Sequence, residues 1–85
     1  MKINVKALAL TVGSLWATCV LIVGLAHLVW PSYGGAFLEL VASIYPGLHP
    51  GDGLQAVIVG TLYAIVDGGI GGALVARLYN RIAAA

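Results

Sequence analysis

The stretch that decides the fold is LQAVIVGTLYAIVDGGIGGALVA, residues 54–76, in which Asp67 alone carries a formal charge. A helix of this length rises about 34 Å, since each residue adds about 1.5 Å, and the hydrocarbon core of a bilayer is about 30 Å thick. The stretch therefore predicts a membrane-spanning helix, to which we give the bounds 54–78. Gly51, Asp52 and Gly53 precede it, and such a cluster of helix breakers is typical of a boundary.

A second apolar stretch, ALALTVGSLWATCVLIVGLAHLVW at residues 7–30, has no formal charge and is followed by Pro31. It is longer than the apolar core of a secretory signal peptide, which has about 7 to 15 residues, so we interpret it as a first spanning helix. Across the chain 61% of the residues are hydrophobic and 8% are charged, whereas about a quarter are charged in a typical soluble domain. Together these features predict an all-α membrane protein with a single domain, residues 1–85.

The segment between the two stretches, residues 31–53, is predicted to form the turn of a helical hairpin. Within it, four apolar residues recur at the spacing of one helix face: Phe37, Leu40, Val41 and Ile44. This spacing predicts a short interfacial helix over about 35–45, lying flat on the membrane with the stripe toward the acyl chains, packed over the hairpin, or both. Amphipathic rings collect at headgroup level, where we place Trp30, Tyr33 and Tyr45.

The basic residues predict the orientation of the hairpin. Lys2 and Lys6 flank the first stretch, Arg77 and Arg81 flank the second, and residues 31–53 contain neither Lys nor Arg. Basic flanks stay on the cytoplasmic side, so both termini are expected there, in a multi-pass protein of the bacterial inner membrane with an extracytoplasmic loop. The formal net charge of +1 provides no basic field for a phosphate backbone, so nucleic acid is excluded as a partner.

Small residues occupy every fourth position of the second stretch: Ala56, Gly60, Ala64, Gly68, Gly72 and Ala76. This spacing keeps them on nearly one helix face, where another backbone can approach closely. The first stretch has a shorter series, Ala9, Gly13 and Ala17, which an antiparallel hairpin sets against the end of the longer one. The pattern predicts helix packing, either within the hairpin or between molecules.

Asp67 lies about 20 Å of helix from Leu54 and about 15 Å from Arg77, near the middle of the predicted span. A carboxylate at that depth costs roughly 2.5 to 3.5 kcal/mol on insertion scales, so a compensating role is expected. Three interpretations are open. Asp67 is protonated and donates to a carbonyl or a hydroxyl of the first span, or it caps a helix break within the glycine-rich residues 68–72, or it lines a polar path. The hydroxyls within reach are those of Thr11, Ser14 and Thr18.

His27, one turn from the outer end of the first stretch, is a candidate ligand for a haem or a chlorophyll-type pigment, with interfacial hydrogen bonding as the alternative. No Cys and His residues have the spacing of a metal site, and no Ser, His and Asp set or phosphate-binding loop is recognisable. We therefore expect no metal, no catalytic residues and no enzyme activity.

The segments Ser43-Ile44-Tyr45-Pro46-Gly47, VDGGIGGA at residues 66–73 and Leu78-Tyr79-Asn80 resemble those of small bacterial two-span inner-membrane proteins that are often labelled holin-like or uncharacterised. The resemblance covers most of the chain. It implies an inner-membrane hairpin and, if the holin-like label applies, self-association that opens the membrane.

These observations lead to three functional hypotheses. In the first, a holin-like protein packs through its small-residue face into a homo-oligomer within the lipid bilayer, with Asp67 as a polar fixing point. In the second, the chain is an accessory or structural subunit of a larger respiratory or photosynthetic complex. Its small-residue face then docks against another transmembrane protein, and His27 contacts a pigment or haem. The third is a proton or small-ion path through an oligomer.

Overall fold

The computed structural model describes residues 2–84, with Pro50 described by its backbone alone. All regular secondary structure in this part of the chain is helical. Helix α1 spans Val5–Val29, α2 spans Gly35–Ile44 and α3 spans Leu54–Ala84, with a 3-10 turn at Pro50–Asp52 before α3. Both α1 and α3 are long and apolar enough to cross a membrane. The prediction of two long apolar helices with a short helix between them is confirmed.

The two long helices differ from their predicted bounds at the ends nearest the chain termini, and the reasons are local. Helix α1 begins at Val5 because the Asn4 side chain caps it, accepting a hydrogen bond of 3.0 Å from the Ala7 N–H. Helix α3 continues past residue 78 to Ala84, since neither Gly nor Pro interrupts it there. The Asn80 side chain accepts from the Ile3 N–H at 2.6 Å and donates to the Ile3 carbonyl at 2.8 Å. This pair of bonds ties the segment before α1 to the last turns of α3.

Helices α1 and α3 pack antiparallel through their small residues. A Cβ added at Gly72 would lie 2.8 Å from the Leu8 carbonyl oxygen, and one added at Gly68 would lie 2.9 Å from the Gly13 Cα. The two backbones therefore touch, which a larger residue at these positions would prevent. The buried residues of the contact are Gly13, Ala17, Val20 and Gly24 in α1 and Val57, Gly60, Ala64, Gly68, Gly72 and Ala76 in α3.

The short helix α2 is reached through a left-handed glycine. Gly34 has a φ of 72°, and a Cβ at this residue would lie 2.6 Å from a methyl group of Val23, so both backbone and space favour glycine here. Leu38 and Val41 of α2 are buried, whereas Leu40 and Ile44 are 60% and 64% exposed. The helix is where the sequence placed it, and it buries Leu38, which is outside the predicted stripe, together with Val41 of the stripe.

After α2 the chain turns back along the side of the hairpin through residues 45–48, which we call the tip. The Tyr63 hydroxyl donates to the Pro46 carbonyl at 2.6 Å, and Leu48 is buried beside Gly60. Tyr45 is 5% exposed, whereas Trp30 is 63% exposed. Tyr45 therefore differs from Trp30, because the tip brings its ring against α1 and α3.

Candidate functional site

A chain of three polar side chains crosses the side of the hairpin and ends at Asp67. The Trp16 indole N–H donates to the Tyr45 hydroxyl oxygen at 2.8 Å, and the Tyr45 O–H donates to Asp67 Oδ2 at 2.7 Å. The three members come from different segments, since Trp16 belongs to α1, Tyr45 is the C-cap residue that follows α2 and Asp67 belongs to α3. The indole N–H and the phenol O–H point the same way along this chain, toward Asp67. Hydrogen bonds arranged in this way polarise and strengthen each other, which stabilises negative charge on the carboxylate.

Aromatic packing positions Tyr45 for this role. Its ring stacks on that of Tyr63 with centroids 5.1 Å apart and planes 18° apart. Tyr63 is in turn fixed by its bond to the Pro46 carbonyl, directly after Tyr45. Trp16 is held from the other side by Phe37, whose ring meets it edge-on at 5.8 Å. The arrangement therefore depends on the path of α2 and the tip as much as on the two long helices.

Burial raises the pKa of the Tyr45 hydroxyl above its usual value, and the neighbouring Asp67 carboxylate acts in the same direction, while the bond from Trp16 opposes them. Tyr45 is thus held as a neutral donor. The pKa direction agrees with the geometry, because the phenol needs its proton to bond to Asp67.

Asp67 itself is exposed on the side of α3, although its neighbour Gly68 is buried. Its surroundings contradict one of the three sequence interpretations, the helix break, and give Asp67 a hydrogen-bond partner that the sequence did not suggest. Helix α3 runs unbroken through residues 68–72, so Asp67 caps no break. Its partner is Tyr45 of the loop segment rather than a hydroxyl of α1, because Thr11 and Thr18 donate to the carbonyls of Ala7 and Ser14 within their own helix. Because Asp67 is exposed, a polar path stays an open interpretation.

The sequence reasoning missed Trp16, Tyr45 and Tyr63 as partners of Asp67. Trp16 carried a signal, since it is the one aromatic residue within the apolar interior of residues 7–29. Tyr45 carried a weaker one in its position just before Pro46 and Gly47, where the chain must turn. A large polar ring beside a turn has to find a partner for its hydroxyl when it is buried.

The small-residue face is occupied within the chain. Five of its α3 members, from Gly60 to Ala76, are buried against α1, as are Gly13 and Ala17 on the other side. Ala56 is different, because it is partly buried against the cluster of Val41, Tyr45 and Leu48. Val57 takes its place in the contact with α1. Of the two kinds of packing left open by the sequence, the structure uses this face for the intramolecular one.

His27 fixes the start of the loop. Its Nδ1 lies 2.8 Å from the Tyr33 carbonyl oxygen, which only accepts, so Nδ1 carries the proton. In the neutral ring Nε2 is then left as an acceptor or ligand atom. A small apolar cavity of about 10 Å³ lies between His27, Gly24, Leu38 and Leu48, and its size admits at most one water molecule. Any haem or pigment at His27 would lie outside the packed hairpin.

Residues 2–84 contain no group of three or more His, Cys, Asp or Glu side chains that could hold a metal ion. The fold and the site together define a helical hairpin of two long apolar helices, braced on one side by a short third helix and a polar side-chain chain. Comparison with protein-family models, with curated proteins and with solved structures finds no match.

Proposed function

We propose that this chain is an integral protein of the bacterial inner membrane that crosses the bilayer twice and has both termini in the cytoplasm. Only 22% and 28% of the most apolar windows of α1 and α3 are buried, far less than in a core helix of a soluble protein. Large apolar residues around both helices are more than half exposed, among them Leu10, Leu15, Ile58, Leu62 and Leu74. Lipid is the solvent that such a surface requires.

The proposed orientation is supported by contacts as well as by charge. The bonds between Ile3 and Asn80 bring the two ends of the hairpin together at one end of the molecule. Lys2, Lys6, Arg77 and Arg81 are all exposed in that region. Basic residues on one side only favour its retention in the cytoplasm.

Labelling of introduced cysteines tests the orientation. In a Cys19→Ser background, Ser32→Cys should react with a membrane-impermeant maleimide added to intact cells, whereas Ala83→Cys should react only after the cells are opened. The reverse pattern contradicts the orientation. Recovery of the unlabelled protein from a detergent-free soluble fraction contradicts membrane insertion itself.

Within the membrane, we propose that the function is self-assembly of preformed hairpins, as in holin-like proteins. The observation that carries this proposal is Asp67, an exposed carboxylate in the apolar surface of α3, held in place by Tyr45 and Trp16. Leaving it toward acyl chains costs roughly 2.5 to 3.5 kcal/mol, which association removes by covering it. The small-residue face contributes by closing each hairpin, so the oligomer uses the outer surface.

Self-assembly is tested on the purified protein in lipid nanodiscs or mild detergent. Crosslinking and native mass spectrometry should give a homo-oligomer, and Asp67→Leu should shift it toward monomer while α-helical circular dichroism is retained. A monomer in the unmutated protein contradicts the proposal. If the holin-like resemblance extends to activity, expression should also depolarise the membrane, and Asp67→Leu should reduce this effect.

A second candidate function, an accessory subunit of a respiratory or photosynthetic complex, is favoured by His27. Its Nδ1–H bond to a backbone carbonyl is the kind of support that ligating histidines have, and it leaves Nε2 available. Purification in mild detergent, followed by mass spectrometry and an absorption spectrum, tests this function. Stoichiometric partner proteins, and a pigment band that His27→Leu removes, would favour it over self-assembly.

A further inference from the structure

We infer that neighbouring copies of this protein lie side by side and contact each other through two different surfaces, with Asp67 of one copy bonding to Ser14 of the next. The inference rests on the proposed self-assembly and names the two surfaces that form its interface. The first surface contains Asp67 and the adjoining α3 residues, and the second contains the hydroxyl residues of α1. The residues of the second surface are Thr11, Ser14 and Thr18, and all three are exposed.

Ser14 is the member of the second surface with a free donor. Thr11 and Thr18 donate to carbonyls one turn earlier in α1, at 2.7 Å each. The Ser14 hydroxyl takes part in none of the side-chain hydrogen bonds within residues 2–84. A hydroxyl and a carboxylate form a charge-assisted hydrogen bond, which is stronger than one between neutral groups. The chemistry of the two surfaces is therefore complementary.

The two surfaces cannot meet within one molecule. Trp16 faces α2 and the Tyr45 hydroxyl that leads to Asp67. Ser14 precedes Trp16 by two positions, which rotates it by about 200° around the helix. It therefore points away from the side on which Asp67 is held. A bond between Ser14 and Asp67 requires a second copy.

The two surfaces also lie at the same level along the hairpin. A Cβ at Gly13 would lie 3.1 Å from the Gly69 nitrogen, and a Cβ at Gly68 would lie 3.0 Å from the Trp16 Cβ. Residues 13–16 of α1 are thus opposite residues 65–69 of α3. Copies that share one orientation in a membrane place these residues at equal depth, so a Ser14 to Asp67 contact needs no vertical displacement.

Apolar surfaces beside both groups supply area for the contact. A shallow depression next to Ser14 is lined by Leu10, Thr11, Leu15 and Thr18, and a second one near Asp67 is lined by Val59, Leu62, Tyr63 and Val66. The contact joins different surfaces of the two copies, so it is repeated around a ring or along an open row. Each added copy covers one Asp67 and leaves another available for the next.

Disulfide crosslinking between two tagged populations tests the inference. Both carry Cys19→Ser, one carries Leu15→Cys and the other Val66→Cys, so that Ser14 and Asp67 are retained. Heterotypic crosslinks between residues 15 and 66 should dominate over homotypic ones when the populations are co-expressed, and Leu21→Cys should crosslink poorly with Val66→Cys. If homotypic crosslinks dominate in an intact oligomer, the inference is overturned and self-assembly stands. If no oligomer forms, both are overturned.

Removal of the proposed donor provides a second test. The Ser14 side chain is exposed and its hydroxyl bonds to nothing within residues 2–84, so Ser14→Ala should fold normally. It should weaken self-association about ten- to a hundredfold, as expected for one lost hydrogen bond to a charged group. Thr18→Val is the matched control, because its hydroxyl already bonds within α1, and it should have a smaller effect. Equal weakening by the two variants, or no weakening by Ser14→Ala, overturns the inference.

Discussion

The two halves of the hairpin are packed by different means. In the half near the chain ends, which we call the tight half, a Cβ at Gly68 or Gly72 would meet backbone atoms of α1 at 2.9 Å and 2.8 Å. In the half beside α2, the wide half, a Cβ at Gly24 or Gly60 would first meet side-chain methyls at 3.0 Å and 3.3 Å. A side chain can shift by a few tenths of an ångström more easily than a helix backbone can. The four-residue spacing of small residues is therefore required by backbone contact in the tight half, whereas the wide half can accommodate slightly larger residues.

The halves also differ in how they are held together. The tight half has the backbone contact and the bonds between Asn80 and Ile3, while the wide half has the aromatic cluster. The chain from Trp16 through Tyr45 to Asp67 links this cluster to the boundary between the halves, beside Gly68. Dispersion at close approach stabilises the tight half, and hydrogen bonds in an apolar setting stabilise the wide half. Four substitutions separate these contributions.

The largest effect is expected in the tight half, from Gly72→Ala. The added methyl would force α1 and α3 apart, which should lower the free energy of unfolding by about 2 to 3 kcal/mol. Gly71→Ala is the matched control, because no atom lies within 4 Å of its Cβ position apart from its chain neighbours and the backbone of its own helix. It should instead stabilise the helix by up to about 1 kcal/mol. Denaturant titrations in detergent, followed by circular dichroism, measure both, and equal values would contradict the backbone contact.

The next effect is expected in the wide half, from Tyr45→Phe. The change keeps the ring and removes both the donor to Asp67 and the acceptor for Trp16, which should cost about 2 kcal/mol. Tyr33→Phe is the control, because Tyr33 is 51% exposed and its ring lies outside the cluster. Trp16 fluorescence gives a local readout, since the indole N–H loses its partner. An unchanged emission maximum would argue against the bond.

A smaller effect is expected at the end of the tight half, from Asn80→Ala. The two bonds to Ile3 are partly exposed to solvent, so their loss should cost about 1 kcal/mol. The change should act locally, raising amide hydrogen exchange at Ile3 and in the last turn of α3 while exchange near Gly68 stays slow. Uniformly faster exchange along both helices would show that the bonds matter for the whole hairpin.

The smallest effect is expected from Gly60→Ala in the wide half. Its Cβ would lie 3.3 Å from a Val20 methyl and 3.7 Å from Leu48, which can both adjust. The better helix propensity of alanine offsets that adjustment, so the free energy of unfolding should change by less than about 0.5 kcal/mol. A loss as large as that of Gly72→Ala would remove the distinction between the two halves.

Much of this fold could be predicted from composition and spacing alone. Long apolar runs and small residues at every fourth position are local properties of a helix, and Pro31 and Gly53 mark the inner ends. A helix break at residues 68–72, one of the three interpretations of Asp67, is wrong because helix propensity alone does not include the packing that glycine permits. Close contact with α1 keeps those residues helical, which is a tertiary effect.

The candidate site was harder to predict because it depends on where the loop goes. Asp67 could be recognised from its charge, but its partner Tyr45 is 22 positions away and belongs to a segment with several possible paths. The left-handed Gly34 and the inward turn of Leu38 select one of them. Neither the positive φ of Gly34 nor the burial of Leu38 follows from a periodic pattern. The burial of Tyr45 could therefore not be predicted from the sequence.

The bonds between Ile3 and Asn80 join residues 77 positions apart, and this separation affects biosynthesis. At about 5 to 20 residues per second, a ribosome adds Asn80 roughly 4 to 15 seconds after Ile3. For most of that interval, until residues 54–76 have been added, the small residues of α1 have no α3 to pack against. The nascent first helix is thus available to an insertase, a chaperone or another nascent chain before its own partner exists.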